Sequence, residues 1–403
     1  MKINNKITIY LNEFAYYIKQ LVYSIALFAI FIPASDMRKT YSDFPHSMGV
    51  LLLITISIVF FLRNTARDKW KIQFTSLDII LYSICIMLIG SLLISCLMQK
   101  LDFSAYVYYL LMFAVYFFII SRGDISYLNI AVGAILLNVY IVFRCLTEIG
   151  VSFIYYEGTV TNVNQFAIVL LGGAIGSLYV VTYCKKISRV LGIITLLVSF
   201  VFIIFTSSRT SILAFVLSSV LGLGLYMKYD KNISLIKKNI INKSQSIILG
   251  AFLIVFVCVL VHYRIAIIDY IFDKWKNGRS SELFSGRSII WKNIWCQNAF
   301  WGNYRNALNA NSDYIDWLEK YGYIPFFLYL AMWLYILVIS IRTYIKDKNP
   351  ETLFCLMTIS CYMLCSLFEN MITFWGKSIN VMTFCSIGIV FRHGRKLRCE
   401  ELT

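Results

Sequence analysis

Apolar runs of similar length recur from residue 20 to residue 391 and constrain the fold more than any other feature of the chain. Each is close to the ~20 residues that cross a bilayer core as an α-helix. The runs are continuous and do not alternate, which argues against a transmembrane barrel. Hydrocarbon offers the backbone no hydrogen-bond partners, so the runs are expected as helices. The residues are 59% hydrophobic and only 14% charged, whereas a soluble domain averages about 25% charged. The expected fold class is all-α, a polytopic transmembrane helical bundle of about twelve spans. With ends read to within a few residues, the spans are 20–36, 48–62, 76–97, 103–121, 127–147, 165–183, 190–206, 211–227, 245–261, 323–341, 352–368 and 378–391.

Lysine and arginine set the orientation, because short cytoplasmic loops carry an excess of them. Alternate loops hold clusters such as Arg63–Lys71, Lys185–Arg189, Lys228–Lys243 and Arg342–Lys348, and the tail holds Arg392, Arg395, Lys396 and Arg398. The opposite short loops hold only Arg38, Lys39, Lys100, Arg209 and Lys377. Both termini are therefore expected to face the cytoplasm, and the first apolar stretch is expected to stay as a span. The net charge of +16 is mostly this rim, which lies against anionic headgroups and gives no reason to invoke nucleic acid. The 11 cysteines form no CxxC pair, and the 3 histidines (His46, His262, His393) are far apart. Neither a metal site nor a cofactor is expected.

The chain divides at one long connection. Residues 1–261 hold spans one to nine, 262–322 form an outer loop, and 323–403 hold the last three spans and a basic tail. At roughly 60 residues the loop far exceeds the usual connection length. It is rich in Trp, Tyr, Ile and Phe, unlike disordered segments. "SGRSIIWKNIWCQNAFWG" and "SDYIDWLEKYG" space their apolar residues three and four apart and are expected as amphipathic helices. The second has Asp313 in its first turn and Gly322 as its stop. A small helical cap over the outer leaflet is expected.

Four outward cations are candidate ligands for an anion. Residues 190–227 are too long for one span and suit a hairpin, so "TSSRTS" becomes an outer turn with Arg209 at its mouth. Arg209 either anchors that turn to headgroups or, among the hydroxyls of Thr206, Ser207, Ser208 and Thr210, grips phosphate oxygens. Arg287 opens the first cap helix, as a site residue or a solvated one. Arg144 lies about a turn inside the outer end of span five, to snorkel or to bind. Lys377 faces Glu369 across the last outer loop, as a surface pair or as part of the site. Converging, these side chains suit a lipid-anchored diphosphate.

At these residues the sequence resembles the O-antigen polymerase and O-antigen ligase superfamily. The resemblance rests on "SSRTS" opening a span, "GRSIIWKN…AFWGN", "NSDYIDWLEKYG" just before a span, and "VTNVNQFAIVL" at the outer start of a mid-chain span. It covers residues 155 to 342; the first five spans match in hydropathy alone. It implies a metal-independent glycosyltransferase of the bacterial inner membrane. The donor is a glycan on undecaprenyl diphosphate, bound at the outer face. A polymerase transfers that glycan to another lipid-linked repeat, and a ligase transfers it to lipid A core. The implied partners are the lipid-linked oligosaccharide, membrane lipid, a chain-length regulator and a flippase. Arg209 and Arg287 would neutralise the departing diphosphate, with Arg144 and Lys377 in support. Asn164, Asn311 and Tyr314 would contact substrate. The ligases carry a histidine in the third motif where this chain has Asn311, which cannot act as a base near neutral pH. That favours the polymerases and passes the base role to Asp313 first and Glu319 second. A lipid-linked oligosaccharide flippase is the competing class, expected to carry charges deep in several helices and only short loops.

Overall fold

The computed structural model describes residues 18–32, 35, 51, 54–55, 58–59, 61–63, 66, 74–101, 121, 123, 125–152, 156–160, 162–206, 208–229, 287–297, 299–304, 307, 312–369 and 378–402. Among the described residues every regular element is a helix. In chain order these are α1 (Ile18–Ile32), α2 (Ser76–Met98), α3 (Tyr127–Arg144), α4 (Val163–Tyr183), α5 (Lys186–Thr206) and α6 (Arg209–Tyr229). They continue with α7 (Arg287–Gln297), α8 (Asp313–Tyr321), α9 (Tyr323–Asp347), α10 (Pro350–Ser366) and α11 (Ser378–Leu402). A π-helical turn, Cys145–Ile149, prolongs α3. Six of these, α2, α3 with its π turn, α4, α5, α6 and α9, are long and apolar enough to cross a membrane, and α1 and α10 are shorter apolar helices. Of the remaining expected spans, 245–261 and all of 103–121 but Ser121 lie outside the described residues, and 48–62 is described only at scattered helical positions.

Several ends fall elsewhere than the hydropathy puts them. Helix α9 runs to Asp347 instead of 341, α5 starts at Lys186 instead of 190, and α11 carries the basic tail on to Leu402. Hydropathy stops at the first charges, but helical hydrogen bonding does not. Lysine and arginine are good helix formers, and near a helix C-terminus they meet the negative end of its dipole.

Helix α4 is the interior rod. Of its most apolar window 78% is buried, against 28% for α5 and for α6. It touches α3, α5, α6, α10 and α11. The segment "LLGGAIGS" explains this position, because small residues let helix backbones approach closely where water cannot drive association. A Cβ on Gly176 would stand 3.0 Å from both Cα and O of Ala131 on α3. At Gly133 of α3 a Cβ would stand 3.0 Å from the Leu27 side chain of α1. Sparse polar contacts tie the rods together. Nδ2 of Asn138 donates to the Leu170 carbonyl at 2.9 Å and to Ser199 Oγ at 2.7 Å, and Tyr127 Oη meets Thr358 Oγ1 at 2.7 Å. Such bonds contribute about 0.6 kcal/mol each in lipid on average. The faces turned away from α4 expose Ile86, Leu146, Ile187, Leu191 and Val220. Apolar faces of this extent are a liability in water and suit hydrocarbon.

Among the described membrane-length helices, charge is confined to the helix ends. At one end, called here the basic end, α11 binds the rest of the bundle. Arg395 pairs with buried Asp78 of α2 at 2.7 Å and donates to the Ser121 carbonyl. Arg392 donates to the Gly123 carbonyl at 2.7 Å, and His393 Nδ1 meets Asp347 at 2.7 Å. Gly176→Leu drives a branched side chain into the Ala131 backbone and should cost about 1–3 kcal/mol or more. A fall of several degrees in melting temperature in detergent is expected. Gly224→Leu, at a glycine with nothing within 4 Å, should leave the melting temperature nearly unchanged.

Candidate functional site

The opposite end carries the cap. Its two expected helices form as α7 and α8, and the turn between them locks onto the start of α9. Gly302 (φ 83°) and Gly322 (φ 90°) both take left-handed backbone, which disfavours any residue with a Cβ. Space adds a second constraint. A Cβ on Gly322 would overlap the Phe300 carbonyl, and one on Gly302 would lie 2.5 Å from the Lys320 carbonyl. The close approach lets Asn303 N donate to Glu319 O at 2.6 Å and Tyr323 N to Phe300 O at 3.2 Å. Gln99, just past α2, clamps the junction. Its Nε2 donates to the carbonyls of Trp301 (2.5 Å) and Lys320 (2.9 Å), and its Oε1 accepts from Tyr304 N (2.7 Å). Gln99 had no mark in the sequence, being one amide at the edge of an apolar run.

Helix α8 is buried on both sides. Trp317 stacks on Tyr329 of α9 with centroids 4.2 Å apart and planes at 9°. Asp313, Asp316 and Glu319, three apart along the same helix, are all buried as well. Asp316 pairs with Lys320 at 2.6 Å, and Asp313 accepts from Tyr362 Oη of α10 at 3.4 Å. Asp313 opens α8, where the helix dipole favours an anion. Burial, and then the charge of Asp313, push the Tyr314 phenol well above its ordinary range, so that it remains a neutral donor.

A charged cluster closes where α4, α7 and α10 meet. Arg287 opens α7, and its guanidinium donates to the Phe368 carbonyl and faces Glu369 Oε1 at 3.4 Å. The same Oε1 accepts from Asn164 Nδ2 at 2.8 Å. Asn162 has a different task, capping α4 by accepting from the backbone of Asn164 and Gln165. Trp291 packs on Phe368, with centroids 6.4 Å apart.

Two more expected cations reach this end of the bundle. Arg209 is the exposed first residue of α6, over buried Ser208 and Ser211, whose hydroxyls lie 3.1 Å apart. Gly222 of α6 rests on Met357 of α10. Carried to the start of α6 at equal rise on both helices, that antiparallel register puts Arg209 level with the end of α10. Arg144 ends α3; its side chain is 7% exposed and turned onto Glu148 of the π turn. The contacts of Ala131 with Gly176 and of Asn138 with Leu170 put Arg144 level with the first turn of α4.

The structure therefore brings Arg287 and Asn164 together on Glu369 Oε1 and holds Arg144 and Arg209 at the same end. Asp313, Tyr314 and Glu319 lie in α8 with their side chains buried. Asn311 and Lys377 lie outside the described residues. Glu369, expected only as a surface partner of Lys377, is the buried hub of the cluster. Its sequence signal was a lone carboxylate closing the apolar run "CYMLCSLFE". Among the described residues no group of three or more His, Cys, Asp or Glu side chains could hold a metal ion. No family model matches the chain, and comparison with curated proteins finds no match.

The interlock of the cap predicts two variants. Gly322→Ala meets both the left-handed backbone and the Phe300 carbonyl, and Gln99→Leu leaves two carbonyls and an N–H without their clamp. Each is expected to lower the melting temperature of the purified protein by several degrees, with Gly322→Ala the more severe.

Proposed function

We propose that the chain is a polymerase of a bacterial surface polysaccharide of the O-antigen type. It transfers a growing glycan from undecaprenyl diphosphate to another lipid-linked repeat at the outer face of the inner membrane, with about twelve spans and both termini in the cytoplasm. A flippase and a chain-length regulator would be its partners. The observation that carries this reading is the meeting of Arg287 and Asn164, from two separate motifs of the resemblance, at one end of the apolar bundle beside the cap.

Helix geometry supports an anionic substrate. Arg209 and Arg287 are each the first residue of a helix. A cation there opposes the helix dipole by about 0.3–1 kcal/mol. An anion bound at that point reverses the sign, because the N-terminal N–H groups of the helix and the guanidinium then act on it together. A diphosphate presents the planar, multi-oxygen surface that a guanidinium fork matches.

The chemistry needs no protein nucleophile. The acceptor hydroxyl attacks the anomeric carbon, the bond from that carbon to the diphosphate oxygen breaks, and its electron pair leaves with the diphosphate. Fixed cations aimed at this developing charge lower the barrier. Arg209 and Arg287 take that role, with Arg144 and Lys377 in support. Asn164, Asn311 and Tyr314 contact the sugars. The acceptor's proton goes to a carboxylate of α8, Asp313 before Glu319.

Asn311 in place of histidine favours the polymerase over the ligase. The confinement of charge to helix ends favours either over a flippase. The test is a deletion strain of the native host complemented with wild type, Arg209→Ala or Arg287→Ala. Each variant should lose about 10²–10³ in rate and leave only short glycans on a gel of surface polysaccharide. Full-length ladders from both variants would end the proposal. In the deletion strain itself a polymerase leaves single repeats on lipid A core, a ligase leaves none, and a flippase lets no lipid-linked repeat reach the outer face.

A further inference from the structure

Glu369 takes no part in the reaction described above, yet the cluster closes on it. Its side chain is 10% exposed, and Oε1 is shared between Asn164 Nδ2 at 2.8 Å and Arg287 NH2 at 3.4 Å. The carbonyl of the preceding residue, Phe368, takes the other terminal nitrogen, NH1, of Arg287. A guanidinium is planar and carries five N–H donors. Two acceptors from adjacent residues just past the end of α10 therefore face its two terminal nitrogens and orient its plane. The same carboxylate pins the first turn of α4 through Asn164.

A buried carboxylate paired with arginine binds helices together at Asp78, but Glu369 sits beside the proposed diphosphate site, where its charge carries a further cost. A buried carboxylate carries a desolvation cost that only good pairing offsets. Beside a diphosphate it is also repulsive, so a site built for binding alone would do better with a neutral residue. Orientation is what the carboxylate adds, since a charge-assisted bond holds a guanidinium more tightly than a neutral one.

We propose that Glu369 is a positioning residue: it aims Arg287 at the departing diphosphate and ties the starts of α4 and α7 to the end of α10. The proposal rests on the reading of the chain as a polyprenyl-diphosphate glycosyltransferase. It separates binding from turnover. Glu369→Gln keeps an acceptor oxygen for Asn164 and the shape of the side chain, but removes the charge. An anionic probe should then bind at least as tightly as to wild type, while turnover falls about 10–10²-fold, the range for a misplaced reacting group.

The experiment uses the full-length chain in two assays. Binding is read by titrating farnesyl diphosphate into purified protein in detergent. Turnover is read in membranes of the deletion strain carrying each variant, with the host's own lipid-linked repeats as substrate. The expected result is slow turnover with undiminished probe binding for Glu369→Gln. Because Glu369 acts through Arg287, Glu369→Gln/Arg287→Lys should be no slower than Arg287→Lys alone. Wild-type turnover in Glu369→Gln, a parallel loss of binding and turnover, or a double variant well below Arg287→Lys would each overturn the inference. If Glu369→Gln fails to fold, Glu369→Asp decides by the same criteria. If Arg209→Ala and Arg287→Ala both keep full turnover, the functional reading itself fails. If they are inactive and Glu369→Gln is not, only the role of Glu369 fails.

Discussion

A peptide group in hydrocarbon must close its own hydrogen bonds, and this chain is organised around that requirement. The requirement makes the apolar runs helices before any tertiary contact forms. It also removes the hydrophobic effect as a force between them, since lipid tails are as apolar as leucine. Association then depends on how closely backbones can approach. Helix α4, with Gly172, Gly173, Ala174, Gly176 and Ser177 buried, allows the closest approach and sits in the middle. Large apolar side chains such as Ile86 of α2, Leu191 of α5 and Val220 of α6 remain on the outside, where lipid accepts them.

The same requirement sorts charge to the two ends. A guanidinium or carboxylate in the hydrocarbon centre is costly, so ion pairs form where the rods emerge. Both ends use one device, a buried carboxylate met by an arginine from a distant segment. Asp78 takes Arg395 at the basic end, and Glu369 takes Arg287 at the cap end. The difference lies in the surroundings. Asp78 also belongs to a capping box with Thr75, and Arg395 reaches the Ser121 carbonyl, an arrangement that binds helices together. Arg287 and Arg209 stand instead at helix N-termini, where backbone N–H groups favour anions.

Much of the cap was legible residue by residue. Gly322 read as a helix stop because few other residues suit the left-handed position that ends α8. Asp313 read as a first-turn residue because the dipole favours it there. The "TSSRTS" turn read correctly because two membrane-length helices must fit between residues 186 and 229. What was not legible is which side chains share an end of the bundle in register and which touch. "VTNVNQ" offers two asparagines of equal appearance, and only the fold assigns Asn162 to capping and Asn164 to Glu369. Gln99 was unmarked and Glu369 was marked only as a partner for Lys377, because each is a single polar residue at the end of an apolar run, and every span has such an end.

The sequence by itself determined the helical class, the membrane as solvent and the confinement of charge to helix ends, since these follow from local composition and from the backbone's need for hydrogen bonds. Tertiary structure alone decided that α4 is the interior rod, that the turn at Gly302 locks onto Gly322, and that Arg287 and Asn164 meet on one carboxylate oxygen. Those outcomes depend on the register between helices far apart in the chain. Register is set by the fit of glycine against backbone and of amide against carbonyl, which a one-dimensional pattern of apolar and polar residues does not encode.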